Sequence, residues 1–137
     1  WVGCLSPSDY EKYILPYSRR VFEDLKDVGV PVINFSTGTS TMLDLVQKAG
    51  GDVLSFDWRI QMDSARTLLG KEQPVQGNLD PVTLFAPIPV IREGVYDILK
   101  RAGGRGHIFN LGHGILQHTP VEHVKAVVEM VHEYQHE

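Results

Sequence analysis

Four short apolar runs, starting near residues 30, 52, 74 and 106, alternate with amphipathic stretches that carry helix caps. This alternation predicts an α/β protein built on a parallel sheet covered by helices. The spacing of the runs fits the crossover connection that parallel strands require. Glycines punctuate the pattern, with Gly29, Gly50-Gly51, Gly70 and Gly103-Gly104 closing successive helical stretches. The predicted order is one helix followed by four strand–helix units, and no linker, charge run or low-complexity segment divides residues 1–137. A single unit is expected.

Each element has a local reason. Ser6-Pro7-Ser8-Asp9 supplies an N-cap, a proline at the first helical position and an acid at the third, a variant of the capping box. Behind it Tyr10, Tyr13, Ile14, Tyr17, Val21, Leu25 and Val28 recur at helical steps, predicting one apolar helix face that runs to Gly29. Pro16 lies inside this pattern and predicts a kink or break near residue 15, because its ring meets the carbonyl one turn back. Val30 to Ser36 suits a strand buried on both faces. Ser40 or Thr41 is the expected cap of a helix through Ala49. Residues 52–58 read as the second strand and Met62 to Leu69 as the helix after it. Residues 74–80 read as the third strand, running into a helix start at Asp80-Pro81. A longer helix over roughly 88–102 places Ile91, Val95, Ile98 and Leu99 on one side, and His107 to Leu111 is the fourth strand. Thr119-Pro120-Val121-Glu122 has the form of a full capping box, opening a final helix that carries Val121, Val124, Val127, Val128 and Val131.

Alternation alone leaves two architectures open. Four parallel strands form either an open doubly wound sheet or half of a (β/α)₈ barrel. No turn carries the G-x-G-x-x-G fingerprint of a dinucleotide-binding sheet. Full barrels take about 250 residues, so this chain supplies only half of one. A half barrel exposes two strand edges and an apolar inner face, which favours the open sheet on physical grounds alone.

Composition narrows the function classes. Apolar residues make up 42% and charged residues 22%, the balance of an ordinary globular domain. The formal charge is −4 and Lys and Arg do not cluster, which argues against a nucleic-acid groove. No apolar run approaches the ~20 residues of a membrane helix. The lone cysteine, Cys4, has no internal disulfide partner, fitting a reducing, cytoplasmic compartment. The chain opens at Trp1 with no signal or transit pattern, and a start in mid-pattern fits a piece of something longer.

Candidate chemistry collects at the predicted carboxyl ends of strands, where parallel α/β folds place their sites. After the fourth strand, Asn110-Leu111-Gly112-His113-Gly114 sets one imidazole between glycines that give the backbone freedom to bring it near a ligand. The binding reading of His113 is favoured over that of an ordinary turn histidine. After the third strand, Asn78 is a candidate ligand contact and Asp80 an equally good helix cap. After the second, Arg59 in Asp57-Trp58-Arg59 either meets a substrate carboxylate or is a surface arginine, the second being favoured. The hydroxyl-rich loop 36–41 suits an anion, although capping accounts for most of it. His132-Glu133-Tyr134-Gln135-His136 matches the zinc pattern H-E-x-x-H, but at the chain's end it reads better as a solvated helix terminus with histidines near the dipole's negative pole. Cys4 reads as a structural thiol, and no G-x-S-x-G elbow, P-loop or C-x-x-C pair occurs.

Taken in order, Asp57-Trp58, Gly77-Asn78-Leu79-Asp80-Pro81 and Phe109-Asn110-Leu111-Gly112-His113-Gly114 resemble the carboxyl-terminal half of uroporphyrinogen decarboxylase. Leu5-Ser6-Pro7, Leu15-Pro16-Tyr17 and the stretch from Thr119 to His132 extend the likeness over nearly the whole chain. The resemblance reverses the preference for an open sheet: it implies that residues 1–137 are the last four strands of a single TIM (β/α)₈ barrel. It further implies a homodimeric carboxy-lyase of porphyrin and heme biosynthesis that converts uroporphyrinogen to coproporphyrinogen without cofactor or metal. The family's Gly-His-Gly histidine lines the substrate cleft and maps onto His113. Its arginine-bearing loop, central aspartate, tyrosine and serine all fall upstream of Trp1, so no catalytic residue is assigned in this chain, which is expected to be an inactive fragment. Two rival readings stand beside this one. The first is a zinc- and corrinoid-linked methyltransferase of the same superfamily, disfavoured because Cys4 precedes the first complete unit and no H-x-C pair occurs. The second is a non-catalytic half barrel acting as a binding or assembly module.

Overall fold

The computed structural model describes residues 1–135. After a 3-10 turn at Val2–Cys4, the first helix begins as α1 (Pro7–Asp9), widens into a π-helical turn over Tyr10–Ile14 and continues as α2 (Leu15–Asp24). Then follow β1 (Ile33–Phe35), α3 (Leu43–Ala49), β2 (Val53–Ser55), α4 (Met62–Leu69), β3 (Val75–Leu79), a 3-10 turn at Pro81–Phe85, α5 (Ile88–Ala102), β4 (His107–Leu111) and α6 (Val121–Glu133).

The expected cap forms at the first helix, where Ser6 Oγ accepts the Asp9 N–H at 3.1 Å and donates to the Asp9 carboxylate at 2.8 Å. The break anticipated at Pro16 takes the form of the π turn instead, with the Leu15 N–H bonded to Tyr10 O five residues back. An extra residue in the turn just before Pro16 moves aside the carbonyl that its ring would strike in a regular helix. The helix also stops at Asp24, well short of Gly29. Tyr13, Tyr17, Val21 and Val28 are exposed, so their stripe lacks the packing that would carry the helix further.

Two predicted caps are absent. Met42, not Ser40 or Thr41, occupies the N-cap of α3 without a side-chain bond. Pro120 holds that position in α6, and Thr119 Oγ1 donates to Leu116 O at 2.7 Å rather than closing a capping box. The long helix behaves as its pattern requires: Ile91, Val95, Ile98, Leu99 and Ala102 are buried, and Gly103 ends it in the left-handed conformation (φ 73°).

The strands lie in the order β1-β2-β3-β4, all parallel. A doubly wound sheet reverses its strand order at a switch point, and no reversal occurs here. With right-handed crossovers, such an order carries every connecting helix to the same face. The helices accordingly pack side by side in chain order, α2 on α3, α3 on α4, α4 on α5 and α5 on α6. Leu54 and Val75 are buried in one contiguous core with Met42, Phe56, Ile91 and Met130. Ile33, Phe35 and Ile108 remain 44–50% exposed on the sheet. β1 is therefore covered on one side only, not both. This is an arc of a (β/α)₈ barrel, and the open-sheet alternative is excluded.

Candidate functional site

The parallel ladder between β3 and β4 continues past the strands, as the Gly112 N–H donates to Leu79 O at 2.8 Å. This bond presses Gly112 against the end of β2. A Cβ there would lie 2.8 Å from the Trp58 backbone N and 2.9 Å from Asp57 Cα. Neither Gly112 nor Gly114 has a positive φ. Close approach, and not the backbone freedom inferred from sequence, is why residue 112 is glycine. The consequence is positional: Gly112 sets the next residue, His113, at the rim of the arc.

His113 lines a cleft of about 180 Å³ together with Phe35, Ser55, Gln76, Asn110, Leu111 and Gly114. Strand register explains the floor. Phe35 pairs with Ser55, Ser55 with Gln76 and Gln76 with Ile108, so one row crosses all four strands. Within that row Gln76 Nε2 donates to Ser55 Oγ at 3.1 Å, fixing a polar pair between the apolar Phe35 and Ile108. Asn110 Oδ1 accepts the Leu111 N–H at 2.8 Å. Across the rim the Trp1 ring stacks on His113, with centroids 6.2 Å apart and planes inclined by 25°. The result is an open cleft whose floor sets the Ser55–Gln76 pair beside the Phe35 ring, with an exposed imidazole at its lip.

The other candidates divide. Asn78 is buried, and its amide donates to Asp57 O at 3.0 Å and to Ile60 O at 2.7 Å. It ties the loop after β2 to β3 rather than reaching a ligand. Asp80 caps the following 3-10 turn through the Val82 N–H at 2.9 Å. In the 36–41 loop, Ser36 and Thr39 hydroxyls bond each other at 3.1 Å, and the Gly38 N–H donates to Asp57 Oδ2 at 2.6 Å. The anion of that loop is thus the protein's own aspartate. Arg59 is exposed, as the favoured surface reading expects, and it is also ion-paired with buried Asp57 and lies over the Trp58 ring. Cys4 is exposed. His132 ends α6 in an exposed position, while His136 of the H-E-x-x-H pattern lies outside the described residues. No three His, Cys, Asp or Glu side chains among the described residues are grouped to hold a metal ion, and no helix among them is long and apolar enough to cross a membrane.

Sequence reasoning missed Phe35, Ser55, Gln76 and Asn110 as cleft residues. A signal was present: Ser55 and Gln76 are polar interruptions inside apolar runs, and alternate strand residues share a face. Choosing which face stays open, however, required the strand order.

The fold defines a parallel barrel-type α/β protein, with a cleft at the strands' carboxyl ends. The family model for uroporphyrinogen decarboxylase (URO-D) matches residues 1–134, and the chain belongs to that family. It is 59% identical over 134 residues to a uroporphyrinogen decarboxylase of Carboxydothermus hydrogenoformans, covering 97% of this chain and 38% of that protein. A Thermus thermophilus protein of the same name is 54% identical over 134 residues, with 97% and 39% covered. The chain therefore spans about 38–39% of the length of these curated relatives. A methyltransferase from Methanosarcina mazei superposes with a TM-score of 0.81 at 20% identity over 94% of this chain and 38% of that one, a likeness of fold.

Proposed function

We propose that the chain supplies the carboxyl-terminal arc of a decarboxylase acting on the acetate arms of uroporphyrinogen, and that His113 is a substrate-binding residue. The observation that carries this reading is the position of His113, at the lip of a cleft on the strands' carboxyl ends, above Phe35 and the Ser55–Gln76 pair. The Phe35 ring on the floor suits the face of a tetrapyrrole, and an imidazole at the rim suits a carboxylate arm. Chemically, loss of CO₂ leaves an electron pair that needs a sink, and a pyrrole protonated beside the arm provides one. The substrate itself does what a cofactor does elsewhere. What the protein must add is stabilisation of a cationic ring and anchorage of several carboxylates, work for which one imidazole is insufficient. Homodimerisation of the complete enzyme, a cytoplasmic location and a place in heme biosynthesis belong to the same reading.

The test is an assay of CO₂ release from uroporphyrinogen by the chain alone and by the chain assembled with the amino-terminal part of a relative such as the Carboxydothermus protein. The expected result is no turnover alone, turnover on assembly, and a loss of about tenfold or more in kcat/KM with His113→Ala, the size of one charge-assisted hydrogen bond. Full activity of the His113→Ala assembly overturns the role of His113. Failure of any assembly to release CO₂ overturns the decarboxylase reading.

A further inference from the structure

A second cleft of about 170 Å³ opens at the same rim, lined by Trp1, Gly3, Cys4, Thr37, Gly38 and Arg59. Trp1 also stacks on His113, so a single indole of this cleft touches the imidazole of the other. Backbone forms part of the wall: a Cβ on Gly3 would lie 2.2 Å from Thr37 O, and one on Gly38 would lie 3.2 Å from Gly3 Cα. Arg59 is the one charged side chain among these lining residues.

Two contacts fix the Arg59 guanidinium. Nη1 pairs with Asp57 Oδ2, and Cζ lies 4.9 Å from the centre of the Trp58 ring. Asp57 itself is only 2% exposed and also receives the Gly38 N–H at 2.6 Å and the Arg59 N–H at 3.0 Å. The acid is thus buried and satisfied, while the Arg59 side chain keeps 52% of its surface open. A guanidinium carries five N–H donors in a fixed fork, and Asp57 engages one nitrogen of it. Arg59 lines the cleft with its guanidinium already held by Asp57 and Trp58, so a second carboxylate would bind with little further loss of side-chain freedom.

We propose that Arg59 is a second carboxylate-recognition point for the ligand that meets His113, the two anchors linked by Trp1, which stacks on His113 and lines the Arg59 cleft. This rests on the tetrapyrrole reading above, in that it requires a ligand bearing more than one carboxylate.

The test titrates the chain, assembled with the amino-terminal part of a relative as above, with coproporphyrin and, separately, with its methyl ester, following tryptophan fluorescence. Arg59→Gln alone would strand the buried Asp57 charge, so the informative form is Arg59→Gln combined with Asp57→Asn, its fold checked by far-UV circular dichroism. Arg59→Lys, which keeps a cation for Asp57 but loses the fork, is the second variant. The expected result is about tenfold weaker binding of the acid porphyrin by the double variant, with a shallower salt dependence, and a smaller loss with Arg59→Lys, whose salt dependence stays that of the parent. Affinity for the ester should not change. Unchanged acid binding by both variants, with His113→Ala still weakening it, overturns the Arg59 site and leaves the tetrapyrrole reading intact. Equal binding of acid and ester by the parent chain, or no binding of either, overturns both.

Discussion

Gly112 shows how a residue that looks chosen for flexibility can be chosen for its lack of volume. Its ordinary φ leaves alanine conformationally acceptable, yet a Cβ would strike the Asp57–Trp58 backbone at 2.8–2.9 Å. Because backbone cannot step aside as a flexible side chain can, Gly112→Ala should cost about 1–3 kcal/mol, as overpacking does, read as a lower urea midpoint. It should also displace His113 and weaken porphyrin binding. Gly114→Ala is the internal control, since nothing lies within 4 Å of its would-be Cβ, and it should leave stability unchanged. Asn78 carries the complementary lesson. Its sequence neighbourhood allowed ligand contact, but both amide hydrogens are committed to Asp57 O and Ile60 O inside the fold. Sequence patterns identify residue types able to do chemistry; they do not say which of them the protein has already used for its own backbone.

Among the elements, α5 is the most legible. Its apolar positions, its extent and its terminal glycine were all readable, because one face packs fully and a left-handed glycine ends it. Ile91 and Val95 have no exposed surface. Ile91→Ala should therefore destabilise the chain by about 2–5 kcal/mol in chemical denaturation, the range for a deleted core side chain. The first helix is the least legible. The stripe from Tyr13 to Val28 has helical spacing, yet Tyr13, Tyr17, Val21 and Val28 are exposed and the helix ends at Asp24. Periodicity reports that a face is apolar without reporting that anything packs on it. The same reasoning covers the caps. Thr119 has the right spacing for a box with Glu122, but its hydroxyl bonds Leu116 O, a partner supplied by the loop's own turn.

At the level of the whole molecule, the sheet leaves apolar side chains uncovered. Ile33, Phe35 and Ile108 are half-exposed, and among the described residues β1 and β4 each pair with one strand only. An uncovered apolar face between two free edges promotes self-association. Ile108→Lys, which sets a charge on the β4 edge, should reduce the concentration-dependent light scattering of the isolated chain; an unchanged profile would show that this face is not the contact. The parallel βα order, four strand positions, most helix positions and the imidazole at the last strand's end were all present in the linear pattern, because caps, glycines and apolar periodicity act over a few neighbouring residues. Strand order and the uncovered face were implied by the family resemblance and not by the local pattern, and the row from Phe35 to Ile108 and the pinning of Arg59 by Asp57 came from the folded chain alone. These depend on which segments distant in sequence lie side by side, and local preferences carry no information about that pairing.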